Sequence, residues 1–426
     1  MCKKIDFGKT PLTDLYKIFK FTNPSDLENK RARLLPNGNA HNEITTTSIF
    51  LASLRAVKEY REELFSEIGI KKLNGRNAKL HVYTELENSK TGDRPDGLMV
   101  ITSGKHNPII EWACFVEAKV ADNVIDEAQI EKYVEFAREV GINDTITISN
   151  QLVSSPKESP VSTRKRSFNL YHWSWTYLKV TGSRLIANQQ IEDEDHVYVL
   201  EELRRYFDSH KNLKNFVNMG KNWKDSVNTL HSYSVDQKIN SELLDNVVQA
   251  LVQEEKDVSL QLTDKTGAHV ELPLTAKSDR IHEIAHMLQT TKVATLQYML
   301  DKDKKRTFSI DIDFTRQKVT CSTCVNIDQG KAQSQTTTLI KKLEDIAATD
   351  HVMVNAYYLR RKSLRSNTTV AQLIEERKAG DAYSILDKSM GDTVKSFEIK
   401  TKTCWVVIFK VLKTSSSVLR TPLIAS

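Results

Sequence analysis

No stretch of this chain approaches the roughly 20 consecutive apolar residues that a membrane-spanning helix needs, so no span is expected. The first residues, Met1-Cys2-Lys3-Lys4-Ile5-Asp6-Phe7-Gly8, carry charge but no apolar run of the kind a secretory leader has. A cytoplasmic protein is the expectation. Cysteine is scarce: Cys2, Cys114, Cys321, Cys324 and Cys404 are an odd set in 426 residues. That argues against a disulfide framework and for a reducing compartment. Proline (9) and glycine (14) are too few for a fibrous or disordered chain. A strong excess of one charge is also missing. The net charge of +6 comes from 61 basic and 55 acidic residues, which permits a polyanionic partner without announcing one.

What is present is enough chain for two domains. A turn at Pro36-Asn37-Gly38-Asn39 precedes a helix expected from about Asn42 to Glu67, where Ile44, Phe50, Leu51, Leu54, Val57, Leu64 and Ile68 fall at helical spacing. Three strand-like runs follow, at 81–87, 96–101 and 109–120. Ser103-Gly104 and Asn107-Pro108 separate the last two and suggest a hairpin. An amphipathic helix from Val124 to Val140 closes at Gly141. Strands are then expected at 145–149 and 168–178, with a polar loop at 153–163 between them. This order predicts an α/β domain on a mixed sheet flanked by helices over residues 1–185. Residues 186–236 read as a linker or helical connection, with a helix near 199–207. Residues 237–426 read as an α+β domain for recognition, partner binding or assembly. Its expected helices lie at 240–254, 278–300, 335–347 and 369–378. Its expected strands lie at 257–263, 307–313, 317–326, 351–359 and 403–412.

One constellation carries chemistry. Asp96, in Arg94-Pro95-Asp96-Gly97, opens one strand, and Glu117, in Val116-Glu117-Ala118-Lys119, sits near the end of the next. Strand side chains alternate, so Phe115, Glu117 and Lys119 share a face. A hairpin turning in 103–108 puts Asp96 opposite residue 115 or 117, on that same face in either register. Two carboxylates and an ammonium then converge. Paired carboxylates repel unless a cation joins them, and hard oxygen ligands suit Mg²⁺ or Mn²⁺. The blander alternative is a turn aspartate beside a solvent-facing Glu117–Lys119 ion pair.

The pattern Pro95-Asp96, a gap, then Glu117-Ala118-Lys119 resembles the PD-(D/E)XK nuclease superfamily, with its restriction-endonuclease-like fold. Gln129 and Tyr133, spaced i, i+4 on the following helix, resemble the Q-x-x-x-Y pair of its recombination-type branch. The resemblance covers about residues 40–180. It implies a DNA-cleaving enzyme using Mg²⁺ or Mn²⁺, with DNA favoured over RNA. Asp96 and Glu117 would be metal ligands, the Ala118 carbonyl a further one, and Glu43 a supporting acid. Lys119 would assist the attacking water. Gln129 and Tyr133 would position the substrate backbone or Lys119. A nuclease joined to a second domain also looks like the effector of a bacterial antiphage or restriction system, acting as a homo-oligomer or within a defence complex. The alternative is a non-catalytic binding or assembly subunit with a vestigial nuclease fold.

Other motifs carry weaker signals. Arg164-Lys165-Arg166 could contact phosphates, as could the basic run Arg360-Arg361-Lys362 with Arg365. Glu85 could face the carboxylate cluster. Trp173 and Trp175 suit a core better than base stacking. His282-Glu283-Ile284-Ala285-His286 matches H-E-x-x-H, but position 289 is Gln and no third zinc ligand is evident. Cys321 and Cys324 form a C-x-x-C within a strand-like run, so their side chains should point to opposite faces.

Overall fold

The computed structural model describes residues 3–30, 42–75, 77–164, 167–213, 222–274, 279–301, 303–326, 331–344, 349–358, 365–386 and 394–401. The chain forms two compact units. One comprises residues 1–219 with 252–268, the other 220–251 with 269–426.

In the first unit, α1 (Leu15–Ile18) and α2 (Pro24–Glu28) are short and precede α3 (Glu43–Ala56) and α4 (Lys58–Glu67). Next come β1 (Lys79–Thr84), β2 (Gly97–Ser103), β3 (Ile109–Ala118), α5 (Glu127–Val140), β4 (Asp144–Ser149), β5 (Asn169–Ser174), α6 (Trp175–Ala187) and α7 (Glu194–Ser209). The five strands lie in sequential order. The β1–β2 and β2–β3 pairs are antiparallel, and β3–β4 and β4–β5 are parallel. The expected mixed sheet is therefore present.

Alternation along β3 sends its side chains into two cores. Cys114, Val116 and Ala118 join Phe50, Leu54, Phe65, Trp173 and Trp175 beneath α3, α4 and α6. Phe115 and Ala113 join Ile130, Tyr133, Val134 and Phe136 beneath α5. Both tryptophans are core residues, with Trp173 edge-on to Phe50 and Phe65.

Two sequence expectations here are corrected. The helix over 42–67 is two helices, because buried Val57 leaves helical geometry (φ −94°, ψ 110°) and becomes the N-cap of α4. The strand over 168–178 ends at Ser174, whose side chain caps α6 by accepting from the Tyr177 N–H. Residues 186–236, expected as a linker or helical connection, hold α7, which is longer than the helix expected near 199–207, and α8 (Trp223–His231).

The remaining elements are α9 (Ser241–Thr266), β6 (Val270–Glu271), α10 (Arg280–Thr291), β7 (Val293–Leu300), β8 (Asp303–Asp313), β9 (Lys318–Asn326), α11 (Ala332–Leu343), β10 (Val352–Tyr358), β11 (Arg365–Thr369), α12 (Val370–Ala379) and β12 (Val394–Thr401). Strands β6–β12 make one antiparallel sheet in the order β11-β10-β12-β9-β8-β7-β6. Strands β8 and β9 pair antiparallel over the strands expected at 307–313 and 317–326. Helices α11 and α12 cover the face of β10 and β12 that holds Val354, Ala356, Phe397 and Ile399.

Two expectations fail in this region. Residues 257–263 are not a strand but the last part of α9, where Val258, Leu260 and Leu262 mimic a two-residue period. Asp257, Ser259 and Thr263 are buried as well, so the helix has no single apolar stripe to reveal it. Residues 278–300 are not one helix. Lys292, at φ 58°, ends α10 in a left-handed turn, and Val293–Leu300 continues as a strand. The expected strand over 403–412 lies outside the described residues.

Gly141 closes α5 at φ +85°, and a Cβ there would lie 2.6 Å from the Ile5 carbonyl oxygen. Gly141→Ala is expected to lower stability by about 1–3 kcal/mol, from left-handed strain plus the contact. Urea denaturation followed by circular dichroism measures it, and an unchanged midpoint contradicts this packing.

Candidate active site

Pro95 lacks an N–H and fixes its own φ, so the ladder of β1 with β2 begins just after it, at Gly97 paired with Thr84. On the other side Gly97 pairs with Val116. One step further along the antiparallel register puts Asp96 opposite Glu117, the second of the two registers the sequence allowed. Asp96 Oδ2 accepts a hydrogen bond from the Ala118 N–H at 2.8 Å. Glu117 is 1% exposed.

Lys119 follows the strand and is tied on both sides of its own peptide. Its N–H donates to the Ile148 carbonyl at 2.7 Å, and its carbonyl accepts from Trp175 Nε1 at 2.8 Å. Its Nζ donates to Glu117 Oε1 and lies 3.5 Å from Glu43 Oε1. Glu43 is the first residue of α3, behind the N-cap Asn42, whose side chain accepts from the Thr45 N–H at 2.7 Å. Four of the residues singled out in the sequence, Glu43, Asp96, Glu117 and Lys119, thus come together at the ends of two strands and one helix.

Their electrostatics follow from burial. Desolvation first, and the neighbouring Glu117 second, push the Asp96 carboxyl up to about 8, against the pull of the Ala118 N–H. Desolvation also raises Glu117, with Lys119 opposing. Burial works to lower Lys119, but Glu117, Glu43 and Asp96 together outweigh it and raise the ammonium above its usual range. Lys119 is therefore a cation at neutral pH. Glu117 Oε2 is buried and has no hydrogen-bond partner. An unpaired buried carboxylate oxygen is costly.

Gln129 and Tyr133 do share one face of α5, as their spacing requires. Gln129 Nε2 donates to Tyr133 Oη at 2.8 Å, and Tyr133 Oη donates to the Arg94 carbonyl at 3.3 Å. The pair reaches the peptide that leads into Asp96, and no hydrogen bond joins it to Lys119. Burial raises the Tyr133 hydroxyl, with the Glu117 charge adding to the effect. It stays a neutral donor.

Other candidates lie elsewhere or play ordinary parts. The Arg164 N–H donates to Glu131 Oε1 at 2.7 Å and Ser162 Oγ to Glu127 Oε1 at 3.0 Å, which fastens that loop to α5. At 100° per residue, positions 127 and 131 lie on the side of α5 opposite 129 and 133. Lys165, Arg166, Arg360, Arg361 and Lys362, with the Arg365 side chain, lie outside the described residues. Glu85 does not join the carboxylates; it pairs with Arg94 at 3.3 Å.

His282 and Glu283 belong to the first turn of α10. The N-cap Asp279 accepts from both the backbone and Nδ1 of His282, and Glu283 pairs with Arg280 at 3.1 Å. Cys321 is buried and Cys324 exposed, on opposite faces of β9 as alternation requires. Cys321 takes part in a disulfide, while Cys114 and Cys324 are free thiols.

Three supports of the site carry no signal in the sequence. They are Trp175, which holds the Lys119 carbonyl, Arg94, whose carbonyl Tyr133 holds, and Asn150, whose Nδ2 donates to the Ala121 carbonyl at 2.9 Å. Each acts across sheet layers or loops, so no local spacing could have announced them. No family model matches the chain, and no curated protein or solved structure matches it either. Among the described residues, no group of three or more His, Cys, Asp and Glu side chains is arranged to hold a metal ion, and no helix is long and apolar enough to cross a membrane.

The Asp96 shift sets a pH dependence. Unfolded, this carboxyl ionises near pH 4; folded, it keeps its proton until about 8. Between those values the folded state binds more protons, so stability falls as pH rises, by roughly 1.4 kcal/mol for each pH unit of the shift. In EDTA, Tm is expected to fall from pH 5 to 8, and Asp96→Asn to flatten that fall. Equal slopes in the two proteins would show that Asp96 is not held protonated.

Proposed function

We propose that the chain is a divalent-metal-dependent nuclease that hydrolyses DNA phosphodiester bonds. On this reading the first unit is a restriction-endonuclease-like domain of the PD-(D/E)XK superfamily, with a Q-x-x-x-Y helix. The observation that carries it is the buried Glu117 oxygen without a hydrogen-bond partner, beside the part-buried Asp96 carboxyl, which can ionise near neutral pH only at a cost.

The donor chemistry of those residues, hard carboxylate and carbonyl oxygens, suits Mg²⁺ or Mn²⁺. Asp96 and Glu117 would supply two carboxylate oxygens, the Ala118 carbonyl a third ligand, and Glu43 support from α3. Such an ion lowers the pKa of a bound water and neutralises phosphate oxygens. The chain's own residues do the rest. Lys119, held cationic by Glu117 and Glu43, orients the attacking water and offsets charge developing on the phosphate. Tyr133 and Gln129 brace the Arg94 peptide, and with it the position of Asp96. Core packing on both faces of β3 keeps Glu117 away from bulk water.

The second unit then serves substrate recognition, a partner or a trigger. The combination suits a cytoplasmic effector of a bacterial antiphage or restriction system. Cutting both strands of a duplex needs two such sites, so a homo-oligomer or a place in a defence complex goes with the proposal.

One observation favours a second reading, a non-catalytic binding or assembly subunit. Lys119 bridges Glu117 and Glu43, so an ammonium already serves part of a cation's role there. The two readings part on a single experiment. Supercoiled plasmid and single-stranded DNA are incubated with Mg²⁺ or Mn²⁺, then with EDTA. The nuclease reading expects metal-dependent cutting that drops about 10²-fold or more in Asp96→Ala, Glu117→Ala and Lys119→Ala, each still folded. Cutting that persists in Glu117→Ala removes the proposal. Absence of both cutting and metal binding in the wild type supports the assembly subunit.

A further inference from the structure

Arg94 and Glu85 form an ion pair that the site described above does not use, although it is built onto the strand lead-in that carries Asp96. Arg94 Nη1 lies 3.3 Å from Glu85 Oε1, and the Arg94 side chain is half exposed. Both residues have fixed backbones. The Arg94 carbonyl accepts from Tyr133 Oη. The Glu85 N–H donates to the Asp96 carbonyl at 3.2 Å. The loop between them is closed by the Asn88 N–H to the Asp93 carbonyl at 2.7 Å and the Gly92 N–H to the Asn88 carbonyl at 2.8 Å, with Asn88 buried. Arg94 therefore leaves an ordered loop two residues before a carboxylate of the site.

Glu85 shows strain. Its φ is 55°, in the left-handed region that costs a non-glycine residue about 1–2 kcal/mol. The strained residue is the one that places a carboxylate on Arg94. A half-exposed ion pair contributes only about 0–1 kcal/mol, so the strain is not offset by what the pair adds to stability. A guanidinium presents a rigid fork of donors that matches two oxygens of a phosphate. Exchanging a screened carboxylate for a phosphate diester costs little and keeps the charge paired.

We propose that Arg94 grips a backbone phosphate of the nucleic acid next to the bond that is cut, and that Glu85 is its counter-ion in the free protein, displaced when the substrate strand arrives. This rests on the nuclease reading. It adds a substrate-binding residue and a competing carboxylate, so the two members of the pair have opposite effects on affinity. A pair with a purely structural role would give effects of the same sign.

The test measures DNA binding without cutting. The full-length chain carrying Glu117→Gln is titrated against a fluorescent single-stranded oligonucleotide over a range of salt concentrations. Arg94→Ala and Glu85→Gln are added separately, with thermal denaturation confirming that each remains folded. Arg94→Ala is expected to weaken binding about tenfold and to reduce the slope of log K against log salt by about 0.7, the value for one single-strand phosphate contact. Glu85→Gln is expected to tighten binding severalfold, because a competing charge is removed. Binding and salt slope unchanged in Arg94→Ala, or weakening of equal size in both variants, overturns the role of Arg94 and leaves the nuclease reading standing. A parent protein that binds no DNA at any salt concentration overturns both.

Discussion

Everything at the candidate site follows from placing two carboxylates side by side where the fold shields them from water, Glu117 fully and Asp96 in part. Asp96 and Glu117 face each other at the end of the β2–β3 ladder, and the charge of Glu117 raises the cost of ionising Asp96. The chain limits that cost with what it holds. Lys119 neutralises one oxygen of Glu117, the Ala118 N–H satisfies one oxygen of Asp96, and the other Glu117 oxygen is buried without a well-formed hydrogen bond, close to Asp96 and Tyr133. Such a cluster is costly alone, and that cost is what the proposed metal site rests on.

The rest of the first unit holds the cluster in place. The mixed sheet puts β3 in the middle, so the strand that carries Glu117 is buried on both faces. Helix α3 brings Glu43 from one layer, and α5 brings Tyr133 and Gln129 from the other. Trp175, at the start of α6, fixes the Lys119 carbonyl. A position one peptide from the carboxylate cluster is thus held from several elements at once. The second unit follows a different plan. Its antiparallel sheet is covered by helices over β10 and β12, and the alternating burial of β10 matches a sheet with one face packed and one polar.

Much of the first unit was legible because its signals are short-range. The Gly104 and Pro108 turn, the alternation along 109–118 and the amphipathic run ending at Gly141 lead directly to β2, β3 and α5. The errors share a cause. At 168–178 a single aromatic run spans a strand and a helix, and only the Ser174 cap separates them. At 257–263 a helix buried on several sides shows a strand's period. At 278–300 the break at Lys292 depends on a left-handed residue that is not a glycine. In each case tertiary packing overrides a local preference.

By itself the sequence determined which residues can share a strand face or a helix face, since backbone geometry sets those periods. That is why spacing alone groups Asp96 with Glu117 and Lys119, and Gln129 with Tyr133. Tertiary structure alone decided what those groups do to one another. It chose the register that sets Asp96 against Glu117, drew Glu43 onto Lys119 and sent Tyr133 to the Arg94 carbonyl. It also paired Arg94 with a strained Glu85. The strength of a charge depends on its burial and its neighbours, and both are set by contacts between residues far apart in the chain.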